Sequence, residues 1–137
     1  VVKKKLDLLY PKKGLRLLGN LSEERLINSL LESNIYVMAS HIENSPNNLC
    51  EAMILGMPCI ATYAGGTGSL IRNEEEGILI QDGDPWVMAG AIKELIDNKE
   101  KAELLGSNAR LVALSRHDKA NIKNDLLNIY RQVIRNN

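Results

Sequence analysis

Apolar positions along this chain follow two rhythms. Short continuous apolar runs occur at residues 15–18 (LRLL), 35–39 (IYVMA), 57–62 (MPCIAT) and 77–80 (GILI). Runs of this length and compactness are those of strands buried on both faces of a parallel sheet, so four strands are expected. Between and after them the spacing becomes helical. Val2, Leu6 and Leu9 predict a helix at the start that the segment PKKG at residues 11–14 breaks. Leu26, Ser29, Leu30 and Ser33 set the period of a second helix, for which residues 20–22 (NLS) offer caps. After the fourth run the pattern is helical to the end. Asp84-Pro85 predicts a helix start, with an acidic N-cap and proline at the first helical position, and Met88, Ala91, Ile92 and Leu95 form its buried stripe. Ala102, Leu105, Ala109 and Val112 define the next helix, and Asp118 caps a last one with Ile122, Leu126, Tyr130 and Val133 on one face. Strands alternating with helices predict an α/β fold, a Rossmann-like and mostly parallel sheet with flanking helices and a helical C-terminus.

Composition narrows the picture. With 137 residues, 45% of them apolar, the chain suits a single domain over residues 1–137. Basic and acidic residues both number 17, so net charge gives no reason to expect nucleic acid as a partner. Two cysteines, Cys50 and Cys59, are too few for a disulfide framework and lack zinc-site spacing. No apolar run approaches the roughly 18 residues of a spanning helix, and VVKKKLDLLY lacks the apolar core of a signal peptide. A reducing, cytoplasmic location is expected.

Candidate chemistry concentrates in residues 39–66, ASHIENSPNNLCEAMILGMPCIATYAGG. The segment reads as a strand end, a loop with Glu43, a short helix with Glu51, a strand and a glycine-rich turn. Glu43 on the loop and Glu51 in the first helical turn would turn two carboxylates toward one crevice. A carboxylate accepts two hydroxyl hydrogen bonds at once, which suits the vicinal diol of a ribose or hexose. Ser45, Asn47 and Asn48 are each acceptable N-caps, and the free N–H groups of that helix would favour a pyrophosphate. Strand ends and helix N-termini meet at the carboxyl edge of such a sheet, where phosphorylated ligands bind. The pattern points to a nucleotide-sugar site.

Each of these residues also has an ordinary structural reading. Asn48-x-x-Glu51 fits a capping box, Glu43 a solvated loop acid, His41 a strand-end histidine and Cys50 a small buried hydrophobe. Gly65, Gly66 and Gly68 can serve only to make a tight turn, and residues 69–73 hold at most a turn or so of helix. Asp82-Gly83-Asp84 matches an Asp-x-Asp pattern that binds a divalent metal in some enzymes, but Asp84 is better explained as the cap of the Pro85 helix, so no metal site is assigned. Lys3, Lys4, Lys5, Lys12, Lys13 and Arg16 could touch anionic lipid at the inner face of a membrane, although a solvated face is the usual meaning of such a cluster.

Taken together, ENSPNNLCE with two glutamates eight positions apart, then AMILGMPCIAT, then GG, resembles the signature of the retaining, nucleotide-sugar-dependent glycosyltransferases of family 4, part of the glycosyl transferases group 1, which have the two-domain GT-B architecture. LRLLGNLSEERL resembles the strand and helix before that signature, and EEEGILIQDGDPWVMAGAIKELIDN the strand and helix after it. The resemblance implies that Glu43 contacts the donor sugar near the reacting carbon and that Glu51 holds the ribose hydroxyls. It implies that the backbone around Ser45, Asn47, Asn48 and Leu49 contacts sugar and phosphates, and that Gly65 and Gly66 border the sugar. It implies no cofactor and no metal, only a nucleotide-diphosphate-sugar donor and a saccharide or lipid-linked acceptor, in a hexosyltransferase of the EC 2.4 type that serves polysaccharide biosynthesis.

Two positions depart from the family. Ser69 stands where an acidic residue is common, and Asn44-Ser45 where an aromatic-containing segment usually follows the first glutamate. The resemblance further implies an acceptor domain and two earlier strands, with an Arg and a Lys for the pyrophosphate, which this sequence does not contain before Val1. The chain is then expected to be a partial donor-binding domain, inactive alone and open to self-association. A nucleotide-sugar epimerase of similar shape and a non-catalytic binding or interaction module are the alternatives.

Overall fold

A computed structural model describes residues 14–135. The helix expected around Val2, Leu6 and Leu9, and the lysines of the basic cluster, lie outside the described residues. Six helices and three strands follow: α1 (Glu23–Leu31), β1 (Tyr36–Met38), α2 (Asn47–Ile54), β2 (Cys59–Thr62), α3 (Thr67–Leu70), β3 (Ile78–Ile80), α4 (Pro85–Asp97), α5 (Lys99–Arg116) and α6 (Lys119–Arg135). The strands form one parallel sheet in the order β1-β2-β3, with Tyr36 opposite Cys59 and Ile60 opposite Ile78.

The expected strand at residues 15–18 is absent. A strand satisfies its backbone polar groups only against a neighbour, and no described strand pairs with this segment. Leu15, Leu17 and Leu18 remain about half exposed there. The short helix α3 falls two residues earlier than expected, because Thr67 is buried and its hydroxyl donates to the Ala64 carbonyl at 2.7 Å, turning the chain at once.

β2 is central and buried along its whole length. Alternate side chains point to opposite faces, which gives two cores. On one face Met38, Cys59 and Ala61 pack with Leu49, Ala52 and Met53 of α2. On the other, Ile60, Ile78 and Ile80 pack with Ala91 and Leu95 of α4. α5 serves both, placing Ala102 and Leu105 in the second core and Ala109 and Ala113 in the first. Between those pairs lies Gly106, where a side-chain carbon would run into the Gly56 carbonyl, so the helix can cross the turn before β2 only with glycine there. The stripe expected on α5 therefore ends on Ala113, and Val112 is only half-buried.

α4 starts as its sequence dictates. The Asp84 carboxylate accepts from the backbone N–H groups of Trp86 and Val87 at 3.0 and 2.9 Å, with Pro85 at the first helical position. Asp118 caps α6 in the same way, accepting from Ala120 and Asn121. The apolar face of α6 is largely uncovered: Ile122, Leu126, Tyr130 and Val133 are each about half exposed. Among the described residues no helix is long and apolar enough to cross a membrane.

Candidate functional site

The carboxyl ends of the three strands lead into the loops that carry the residues singled out in the sequence. After β1 the chain passes through residues 39–46 into α2. Glu43 is half-buried in this loop, and its carboxylate accepts from the Ser40 hydroxyl at 2.9 Å. The Ser40 carbonyl in turn accepts from the Thr62 hydroxyl at the end of β2, at 2.5 Å. The glycine turn after β2 packs directly on the same loop. Gly66 N–H donates to the Asn44 carbonyl at 2.9 Å, and a side-chain carbon on Gly65 would occupy the place of the Glu43 carbonyl oxygen. Gly65 also has φ of 52°, so it meets a conformational and a spatial demand together. Glu43, Gly65 and Gly66 are thus brought into one cluster.

The start of α2 differs from expectation. Its N-cap is the buried Pro46, whose carbonyl accepts from Cys50 N–H, and neither Ser45, Asn47 nor Asn48 caps it. Proline fits because its φ near −73° is that of the extended cap position. Proline also has no side-chain acceptor, so the N–H groups of Asn47, Asn48 and Leu49 are left without an intrahelical partner at the open edge. Glu51 is the fifth helical residue, in the second turn rather than the first, and is exposed. With Pro46 as N-cap, the capping box that Asn48 and Glu51 would make does not form.

The Tyr36 hydroxyl is pushed up to about 12, by burial first, then by Cys59, and then by the charges of Glu43 and Glu51. Cys50 and Cys59 are buried and free. Burial raises the Cys50 thiol, outweighing the nearby Arg116 charge, and pushes the Cys59 thiol up to about 12, so neither has the low pKa of a nucleophile.

On the opposite face, a cleft of about 500 Å³ opens between the strand ends and the start of α4, lined by Ala39, His41, Thr62, Ile80, Gln81 and Met88 among others. Neither glutamate lines it. At its edge His41 Nδ1 donates to Asp82 at 2.8 Å. Sequence reasoning treated these two residues separately, as a strand-end histidine and half of a metal-like motif. Their pairing spans 41 positions and carries no local signal. Asp84, the other half of that motif, is committed to capping α4.

A parallel sheet flanked by helices, with its carboxylate loop, glycine turn and uncapped helix gathered at the carboxyl edge, has the organisation of a Rossmann-like α/β domain. The comparisons give the family. The model of the glycosyl transferases group 1 matches residues 2–112, and the chain belongs to that family. D-inositol 3-phosphate glycosyltransferase of Acidothermus cellulolyticus is 28% identical over 111 residues, which make up 81% of this chain and 24% of the relative. The chain thus spans about a quarter of the length of that curated relative. A C-terminal domain of a glycosyl transferase group 1 family protein from Francisella tularensis superposes with a TM-score of 0.73 at 23% identity, covering 86% of this chain and 61% of that one. The Anabaena protein HepE, crystallised with UDP-glucose, superposes with a TM-score of 0.83 at 22% identity, covering 96% of this chain and 36% of that one. The fold is that of a GT-B glycosyltransferase C-terminal domain.

Proposed function

We propose that this chain is the donor-binding part of a retaining, family-4 glycosyltransferase, which moves a sugar from a nucleotide-sugar to a saccharide or lipid-linked acceptor. The observation that carries this reading is the single cluster of Glu43, Gly65, Gly66 and the uncapped start of α2 at the carboxyl edge of the sheet. In it, Glu43 meets the donor sugar beside the reacting carbon and Glu51 accepts hydrogen bonds from the ribose. The free N–H groups of Asn47, Asn48 and Leu49, with the positive end of the α2 dipole, take sugar and phosphate oxygens. Gly65 and Gly66 leave room for the sugar at the backbone itself. A diphosphate leaving group is stabilised by such fixed dipoles without a metal, and catalysis consists mostly of positioning and charge stabilisation.

The acceptor, on this reading, is held by parts of a longer protein, and the 137 residues alone do not turn over. The exposed face of α6 is then a contact surface for those parts or, in the isolated chain, for a second copy. The HepE complex supports a nucleotide-sugar as donor, since that neighbour shares the fold and was crystallised with UDP-glucose.

A titration with UDP, GDP and ADP and their glucose or mannose conjugates tests the reading, repeated on Glu51→Ala. One nucleotide binds selectively, and losing a charge-assisted ribose contact costs about 1.5–3 kcal/mol, roughly tenfold or more in affinity. Unchanged binding by Glu51→Ala would refute the assignment of Glu51. Absence of nucleotide binding by the full-length protein would refute the donor site.

A further inference from the structure

We propose that the His41–Asp82 pair is a positioning device for Glu43, holding the sugar-facing loop from the side that the glycine turn does not reach; the inference rests on the donor-site reading above. The loop at residues 40–45 is anchored on one side by β2 and its glycine turn, through Thr62 on Ser40 and Gly66 on Asn44. Those bonds all lie between β1 and its direct neighbour. β3 lies beyond β2, two strand spacings or about 10 Å from β1, and among the described residues no backbone hydrogen bond joins their loops. His41 reaches across. Its Nδ1–H donates to the Asp82 carboxylate at 2.8 Å, which closes the distance over the carboxyl end of β2. Among the described residues this is the hydrogen bond that ties the Glu43 loop to the β3 side.

The far end of the tie is firm. Asp82 stands two residues before Asp84, whose carboxylate locks the first turn of the 13-residue helix α4, and α4 is packed into the core through Ala91 and Leu95. The near end is two residues from Glu43. Between them Ile42 is 91% exposed and holds nothing, so the loop crest has no anchor of its own. Without His41 fixed, Glu43 keeps only the Ser40 hydroxyl and the glycine backbone, and its carboxylate can swing with the crest. Glu51 sits on α2, whose buried face includes Leu49 and Met53, and does not depend on this tie. The two glutamates are therefore separable: weakening the tie loosens recognition of the sugar and leaves recognition of the nucleoside diphosphate intact.

The test uses the full-length protein with Asp82→Asn and Asp82→Ala, titrated with UDP, GDP and ADP and with UDP-glucose, GDP-mannose and ADP-glucose. The pair is exposed, and its loss is expected to reduce the affinity added by the sugar by roughly two- to fivefold, while binding of the bare nucleotide stays unchanged. Asp82→Asn keeps an acceptor for His41 and is expected to fall between wild type and Asp82→Ala. A sugar increment unaltered in both variants overturns the proposal, as does an equal loss for bare nucleotide, which marks a general loosening of the fold. If the wild-type protein binds no nucleotide, or Glu51→Ala binds as well as wild type, the donor-site reading fails first.

Discussion

The backbone of Gly65 lies directly against the carbonyl of Glu43, leaving no space for a side-chain carbon between them. Two loops that are 22 residues apart in sequence thus share one surface, and the carboxylate loop takes its shape from the glycine turn. Gly65→Ala must therefore displace the Glu43 loop as well as strain a backbone with φ of 52°. The variant is expected to lose about 1–3 kcal/mol of stability in urea unfolding. On the proposed donor-site reading, affinity for the nucleotide-sugar falls further than affinity for the bare nucleotide. A variant as stable as wild type would show that the loops part without cost.

Glu76 is buried to 2% exposure beneath Arg72, whose backbone N–H and guanidinium both donate to it. Burial works to raise its pKa, but the Arg72 hydrogen bonds and the charges of Arg72 and Arg116 prevail and leave it below the usual glutamate value. A depressed carboxyl stabilises the fold above its unfolded pKa, and that contribution is lost as pH falls through the lower folded value. Glu76→Gln is expected to cost about 1–3 kcal/mol near pH 7. The gap to wild type should narrow in acid, below about pH 4. Denaturant midpoints across pH 3–7 check this; a gap that widens toward acid contradicts the account.

The thiols give a test of the core. Cys59 is fully buried, donates to the Met57 carbonyl at 3.3 Å and is pushed up to about 12, while Cys50 is raised by burial as well. Neither is expected to react with a thiol reagent in the native protein at pH 8, and both should react together once denaturant opens the domain. Rapid labelling of Cys50 alone would mean that the start of α2 opens independently of the sheet.

Much of this domain is legible in one dimension because its determinants are local. Asp84-Pro85 specifies the start of α4 within three residues, and Asp118 does the same for α6. The runs at residues 57–62 and 77–80 are apolar because β2 is buried along its whole length and β3 nearly so, whereas β1, in the run at residues 35–39, leaves Val37 exposed. Residue type and spacing singled out Glu43 and the glycine pair, which the structure brings together, but placed Glu51 a turn too early in α2. What the sequence could not supply were the contacts between segments. Pro46, which is buried, takes the cap position of α2 in place of all three polar candidates that the sequence offered. Residues 15–18 have the composition of a strand yet form none, since a strand exists only with a neighbour to accept its hydrogen bonds. Gly106 reads as a weak point in a helix until the Gly56 carbonyl is seen against it. His41 and Asp82 were two unrelated polar residues until the sheet brought β1 and β3 to either side of β2. Periodicity and capping act over a few residues and survive in the sequence; pairing and close approach are set by which elements the sheet places together, and that only the tertiary structure decides.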